Sequence, residues 1–282
     1  MALTFIPTVW VARLLTALEK ALVYGQPGTV NRDYEGEIAE AGDTVKIASI
    51  GDPTIGTYTK NVDIPNPEIL TDAEQTLIID QSRYFNFYVD SIDRAQQNVN
   101  VMDEAMRRAA YGLRDVQDQF IAAAHAQVPA ANLIGSDAVP ITPTNANAYE
   151  YLVDLSVKLD EANIPTEGRF CIVPSWFHGR LLKDNRFVSA GTSKTDSVLA
   201  NGMVGEAAGF NILKSNNVPN TAGTKYKILA GHSMAYSFAL QITSLEAYKP
   251  EKRFGNAVKG LNVYGGKLVR PTAWAVLTAN AA

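Results

Sequence analysis

The sequence predicts an α+β fold, and three observations carry that prediction. Apolar and polar residues alternate from Leu77 to Val89 as in a strand with one apolar face. Apolar residues recur at steps of four and three from Ala95 to Ala123 as in a long helix. Between Ala148 and Ile242, short helical and strand-like segments follow one another.

In chain order, Trp10, Val11, Leu14, Leu15, Leu18 and Leu22 are spaced for a short amphipathic helix, stopped by Gly25, Pro27 and Gly28. A helix of about 15 residues is marginal alone in water, so its Trp and Leu face needs a partner surface. From Gly36 to Asp90 the chain reads as one long antiparallel hairpin. Val45 and Ile47 lie on the outgoing arm, Gly51, Pro53, Gly56, Pro65 and Pro67 break up the middle, and Leu77, Ile79, Phe85, Phe87 and Val89 line the return. Arms of about fifteen residues at ~3.3 Å each reach roughly 50 Å. An isolated hairpin is marginal, so its apolar face must lie on something.

The helix that follows has Asp90, Ser91 or Asp93 available as N-cap and Pro129 as its stop. Its seam is Ala95, Val99, Met102, Met106, Ala109, Leu113, Val116, Phe120 and Ala123, with Asp103–Arg107 and Glu104–Arg108 spaced as i,i+4 ion pairs on the exposed side. About 35 residues at 1.5 Å give ~50 Å, the width of a compact globule of this length, so the helix is expected to act as a spine. The mixture of Ala, Met and Phe in the seam favours packing on the chain's own sheet over a coiled coil.

Beyond a connection rich in Pro, Thr and Asn, a helix is expected from Ala148 to Ala162, then a strand at "FCIV" (Phe170 to Val173), a short helix from Ser175, and strands in "GFNILKSNNVP", "YKILAG" and "AYSFALQI". The closing segment "GLNVYGGKLVRPTAWAVL" reads as a hairpin turning at Gly265 and Gly266.

The totals exclude several classes of function. With 46% apolar residues the chain can bury a substantial core, in one large domain or two modest ones. Lys and Arg number 25 against 29 Asp and Glu, a net charge of -4, so contact with nucleic acid should be loose and no cationic field holds DNA or an anionic membrane. The single cysteine, Cys171, rules out an intramolecular disulfide and fits a reducing compartment. Near the start, Pro7, Arg13, Glu19 and Lys20 interrupt an otherwise apolar stretch that has no positive leader, which argues against export; no run is long enough to span a membrane. A cytoplasmic soluble chain is expected.

Catalytic chemistry is sparse. His125, His178 and His232 belong to no metal-ligand pattern, and "GHSMA" has Ala235 where a nucleophile elbow needs glycine, which argues against Ser233 as a nucleophile. "GMVGEAAG", Gly202 to Gly209, lacks phosphate-loop spacing and reads as a turn before Phe210. Lys249, Lys252 and Arg253 read as a solvated loop. Lys60 beside Asn61 near the hairpin tip sets an amine next to a carboxamide, where an isopeptide link is conceivable and ordinary polar tip residues are the simpler reading. No catalytic residue, metal site or cofactor is expected.

The stretches "FIPTVWVARLLTALEKALVYG", "VNRDYEGEIAEAGDTVKI", "TLIIDQSRYFNFYVDSIDRAQ", "RRAAYGLRDVQDQFIA", "NGMVGEAAGFNILKSNNVP" and "GLNVYGGKLVRPTAWAVL", in this order from Phe5 to Leu277, resemble the major capsid proteins of tailed bacteriophages, the Hong Kong 97-type fold. The resemblance implies an N-terminal arm at 1–36, an extended hairpin or E-loop at 37–90, a peripheral domain with the spine helix at 91–139, an axial domain at 140–244, and a return to the peripheral domain at 245–282. It implies assembly into hexamers and pentamers of an icosahedral shell, procapsid maturation, a scaffolding protein, a portal, a cement protein, and packaged double-stranded DNA touched weakly; no membrane is involved. No long N-terminal extension precedes the arm, so the scaffold is expected to be a separate protein. Family members that cross-link themselves use a lysine, an asparagine and a glutamate, a set not placed here.

Inter-subunit contacts are expected from Trp10, Leu14, Leu18, Lys60, Phe85 and Phe87, because apolar arms projecting from a compact body need neighbouring copies to cover them. Phe85 and Phe87 replaced by Asp are expected to hinder assembly more than folding. An encapsulin-like nanocompartment built on the same fold is the alternative, and a hydrolase using Ser233 and His232 is a third reading.

Overall fold

In the computed structural model, the structure describes residues 23–33, 44–50, 55–61, 63, 66, 72–90, 101–184, 205–251 and 255–281. The expected helix around Trp10, Leu14 and Leu18 lies outside them, as do the capping candidates Ser91 and Asp93.

The outgoing and returning arms pair as expected over seven residues. β1 (Thr44–Ile50) runs antiparallel to β2 (Asp72–Ile78) with Ile47 opposite Gln75. The return does not continue as one arm. It breaks at Ile79 and Asp80, and β3 (Gln81–Asp90) pairs instead with β11 (Gly255–Leu268), which also pairs with β10 (Tyr236–Tyr248), giving a three-stranded antiparallel sheet in the order β10-β11-β3. Unbroken parity from Leu77 to Val89 hid this, because a chain that steps from one layer to the next can keep its alternation while changing the surface it faces. Leu77 and Ile79 are buried with Ile47, Ala239 and Val263 on one side of the sheet, whereas Phe85 and Phe87 pack on the other, facing the long helix.

That helix, α1 (Val101–Ala123), has 23 described residues and gives way to a 3-10 turn at Ala124–Gln127 before Pro129. Its buried residues are Met106, Ala110, Leu113, Gln117, Asp118, Ile121 and Ala122. Of the expected seam, Met106 and Leu113 are buried and Val116 and Phe120 pack on the same core, but a straight helix of 3.6 residues per turn drifts off a strict heptad by about 20° per heptad. Ala123 is accordingly exposed, and Gln117, a polar residue, is fully buried in the stripe.

The remaining chain forms a seven-stranded mixed sheet. β4 (Leu133–Ile134), β5 (Arg169–Val173), β6 (Glu206–Ala207), β7 (Phe210–Lys214), β8 (Asn220–Thr221), β9 (Lys225–His232) and β12 (Trp274–Asn280) lie in the order β4-β12-β9-β5-β7-β6, with β8 on β9. Two helices, α2 (Ala148–Glu161) and α3 (Ser175–Leu182), cover one face through Leu152, Leu155, Leu159, Phe177 and Leu181, which meet Cys171, Val173, Ile228 and Leu277. The alternate residues Phe170, Ile172, Leu229, Trp274 and Val276 face the other way into the core shared with α1, β10 and β11. Strand parity thus divides β5 between two cores. Arg169 anchors the start of β5: its guanidinium is buried and donates to the Asp160 carboxylate at 2.6 Å, to the Ile164 carbonyl at 2.6 Å and to the Pro165 carbonyl at 2.8 Å. The expected turn before Phe210 is a two-residue hairpin loop at Ala208 and Gly209, both with positive φ, 51° and 77°.

The closing hairpin is corrected. Gly265 and Gly266 are not a turn; they lie inside the continuous strand β11, opposite Ala239 and Phe238. They are small because other chain crosses them. A Cβ on Gly265 would overlap the Ile78 carbonyl oxygen and come within 2.8 Å of the Ile79 Cα, where β2 passes into β3; one on Gly266 would run into the Tyr236 ring. The chain turns later, at Val269–Ala273, and β12 enters the seven-stranded sheet beside β9. The expected boundary between residues 244 and 245 therefore falls within β10.

Candidate inter-subunit surfaces

The hairpin is half anchored and half bare. At its base, Ile47, Leu77 and Ile79 are buried against β10 and β11, with Gln75 donating from its amide to the Val269 carbonyl at 3.2 Å. Full burial of such side chains stabilises by roughly 1.5–3 kcal/mol each, which fixes the base to its own subunit. The distal residues Ile55 to Asn61 are all exposed: Ile55 is 95% and Tyr58 73% accessible. Lys60 is at the tip and exposed, next to Asn61 in a left-handed conformation with φ 65°. Single exposed apolar side chains are ordinary; here an almost naked isoleucine and a tyrosine three residues on leave two large side chains in solvent at the hairpin tip.

Phe85 and Phe87 take part in the subunit's own packing. Both rings are half-buried, stack at 5.9 Å between centroids, and pack into the core that α1 closes. An acidic substitution there strikes the subunit's own fold first. On the same strand, residues of the other parity face out: Tyr84 is 79% accessible, and Asn86 exchanges hydrogen bonds with the Tyr248 hydroxyl, whose ring lies 5.6 Å from the Lys259 ammonium. Beside it Lys259 pairs with Glu246 at 2.7 Å in solvent. Tyr84 and the tip residues Ile55 and Tyr58 went unsingled in the sequence. An aromatic or β-branched residue between Gly and Pro breakers is the signal that marked the tip.

Where the first described residues meet the body, Asp118 of α1 is buried under the chain at Val23–Gly25 and accepts hydrogen bonds from three successive backbone N–H groups: Val23 at 3.0 Å, Tyr24 at 3.2 Å and Gly25 at 3.4 Å. Thr29 closes the turn by donating to the Tyr24 carbonyl at 2.5 Å, and Asn31 then pairs with the end of β10 through Tyr236 and Phe238. Burial raises the Asp118 carboxyl to about 6 even though the three N–H groups and Arg114 pull it down.

The histidines are dispersed. His125 bonds the Ala122 carbonyl at the end of α1, His178 is on α3, and His232 ends β9. Burial lowers the pKa of all three. His232 accepts the Met234 N–H at Nδ1 and also bonds the Glu167 backbone, so its ring is taken up by the main chain rather than offered to Ser233. The Cys171 thiol is fully buried and held protonated. Lys249 is exposed at the turn after β10; Lys252 and Arg253 lie outside the described residues. Among the described residues no cluster of His, Cys, Asp and Glu is arranged for a metal, and no helix is long and apolar enough to cross a membrane.

A hairpin anchored on a three-stranded antiparallel sheet, a long helix on that sheet's other face and an α/β unit with two helices make up the described architecture. The chain belongs to the phage capsid protein family, whose model matches residues 73–277. Among solved structures it is similar to that of Mycobacterium phage Che8, with 29% identity over 88% of both chains and a TM-score of 0.72. It also resembles the capsid of cyanophage P-SCSP1u, with 17% identity, 86% and 84% coverage and a TM-score of 0.69. An encapsulin of Synechococcus elongatus PCC 7942 shares the fold at 13% identity, 86% and 85% coverage and a TM-score of 0.57. No curated protein matches the chain in sequence.

Proposed function

We propose that the chain is the major capsid protein of a tailed bacteriophage, assembling as hexamers and pentamers into the icosahedral head that encloses double-stranded DNA. One observation carries the reading: a hairpin whose base is buried in its own subunit carries a tip with Ile55 and Tyr58 bare to solvent. The tip acts as a contact for a neighbouring copy, with Lys60 beside it, and closed symmetry covers what a lone subunit leaves exposed. Obligate interfaces of this sort bury about 2,000–5,000 Å². In this reading residues 37–90 are the E-loop, α1 is the spine of the peripheral domain, the sheet with α2 and α3 is the axial domain, and Trp10, Leu14 and Leu18 on the arm cover a second contact. Phe85 and Phe87 serve assembly indirectly, by holding β3 so that the hairpin leaves at a fixed angle. Assembly takes place in the host cytoplasm with the help of a scaffolding protein, with a portal at one vertex and an optional cement protein outside. A net charge of -4 suits a wall that touches its genome weakly.

The test is the content of particles recovered from cells that produce the chain naturally. Nuclease-protected double-stranded DNA is expected. A protein cargo without DNA would replace this reading with the nanocompartment one.

A further inference from the structure

Gln117 and Asn262 are carboxamides at positions where apolar side chains would be expected. Gln117 is on the side of α1 that carries Met106, Leu113 and Ile121, and it is completely buried. Asn262, in β11, is 1% accessible and shares strand parity with Val258 and Tyr264, both in the core that α1 closes. Neither carboxamide has a hydrogen-bond partner at its oxygen or at its nitrogen. Polar groups left so lose water without compensation, which is why a native core satisfies them.

The topology brings the two side chains to one level. α1 follows the Asp90 end of β3, and Phe120, near the far end of α1, meets Tyr264, the β11 partner of Gln81 at the other end of β3. The helix therefore runs back along the sheet in the direction of β11. The Phe120 and Tyr264 rings pack edge to face with centroids 5.3 Å apart. Gln117 is three residues before Phe120, a helical rise of about 4.5 Å, and Asn262 is two residues before Tyr264, about 6.6 Å along a strand. Stepping back from the ring contact along both elements thus reaches Gln117 and Asn262 side by side. Gly260, the next residue of that parity, contributes no side chain to this face of β11.

We propose that Gln117 and Asn262 form a buried hydration site between α1 and β11, in which one or two ordered waters bridge the two carboxamides. Each carboxamide offers N–H donors and a carbonyl acceptor, and water returns both kinds of partner. A bridging water accepts from an amide N–H on one element and donates to a carbonyl on the other. Buried waters make two to four such bonds, and these side chains supply them. Directional bonds then join helix to sheet where the surrounding contact is apolar. The site belongs to the single subunit, so it stands or falls apart from the shell reading.

Two measurements on the full chain test it. The first is a crystallographic or electron-microscopy map fine enough to show ordered water, in which solvent density within hydrogen-bonding distance of both side chains is expected. A dry site, or two carboxamides bonded directly to each other, overturns the proposal. The second is urea unfolding of Gln117→Met, Asn262→Leu and the double variant. Each single change strips partners from the carboxamide that remains and should lower the folding equilibrium constant by roughly tenfold. The double variant removes every polar group at once, so it should stay within about threefold of the weaker single variant instead of reaching the hundredfold product. Single effects that multiply in the double variant overturn a shared site. Should a single variant fail to fold, the map decides.

Discussion

Gly265→Ala and Gly112→Ala form a pair with opposite expected signs. Gly265 is mid-strand in β11, beneath the point where β2 passes into β3, and a Cβ there would meet the Ile78 carbonyl oxygen, with the Ile79 Cα at 2.8 Å and its Cδ1 at 2.9 Å. Two of those obstacles are backbone, so relief requires the crossing chain to move. Overpacking of this kind costs about 1–3 kcal/mol. The narrower unfolded ensemble of alanine returns about 0.4–1 kcal/mol, too little to reverse the sign. Gly112 is on the solvent side of α1 with nothing within 4 Å of its Cβ position, and alanine there should stabilise by about 0.8–1 kcal/mol through helix propensity. Thermal unfolding of the unassembled subunit at one scan rate is the assay. At roughly 2–4 °C per kcal/mol, Gly265→Ala should melt several degrees lower and Gly112→Ala about 2–4 °C higher. A stabilising Gly265→Ala would refute the crossing of layers that separates β2 from β3.

Three further outcomes follow from the same packing. Phe85→Asp places a carboxylate among the rings facing α1 and should lower subunit stability by about 3 kcal/mol, read as a lost denaturant midpoint before any assembly step. Ile55→Asp with Tyr58→Asp touches nothing buried, so the melting temperature should stay within about 1 °C while particle yield on a sucrose gradient falls at least tenfold. Leu155→Ala empties a fully buried site between α2 and the seven-stranded sheet and should cost about 2–5 kcal/mol by urea unfolding.

Much of this architecture was legible in the sequence because local patterns and tertiary roles agree. Ala148–Glu161 falls on the expected helix, and β5, β7 and β9 arise from short apolar runs bounded by turns. The errors have physical causes. Leu77 to Val89 keeps one parity across two strands because parity records which residues are buried and not on which layer they are buried. Gly265 and Gly266 resemble a turn, since glycine serves close approach of chains as readily as reversal of direction. The heptad seam on α1 assumed 3.5 residues per turn and so missed Gln117. Asp118 could not be found at all: its three partners lie 93 to 95 residues earlier, and in the sequence it is one more acid on a charged helix.

The claim beneath the whole account is that the hairpin tip is finished by another copy of the chain. A cryo-electron-microscopy reconstruction of the assembled particle measures it directly. The account predicts a closed shell in which residues 55–60 rest on an adjacent subunit and Ile55 and Tyr58 lose most of their exposure. A shell whose tips remain in solvent, or a preparation in which only isolated subunits can be imaged at high concentration, would contradict it.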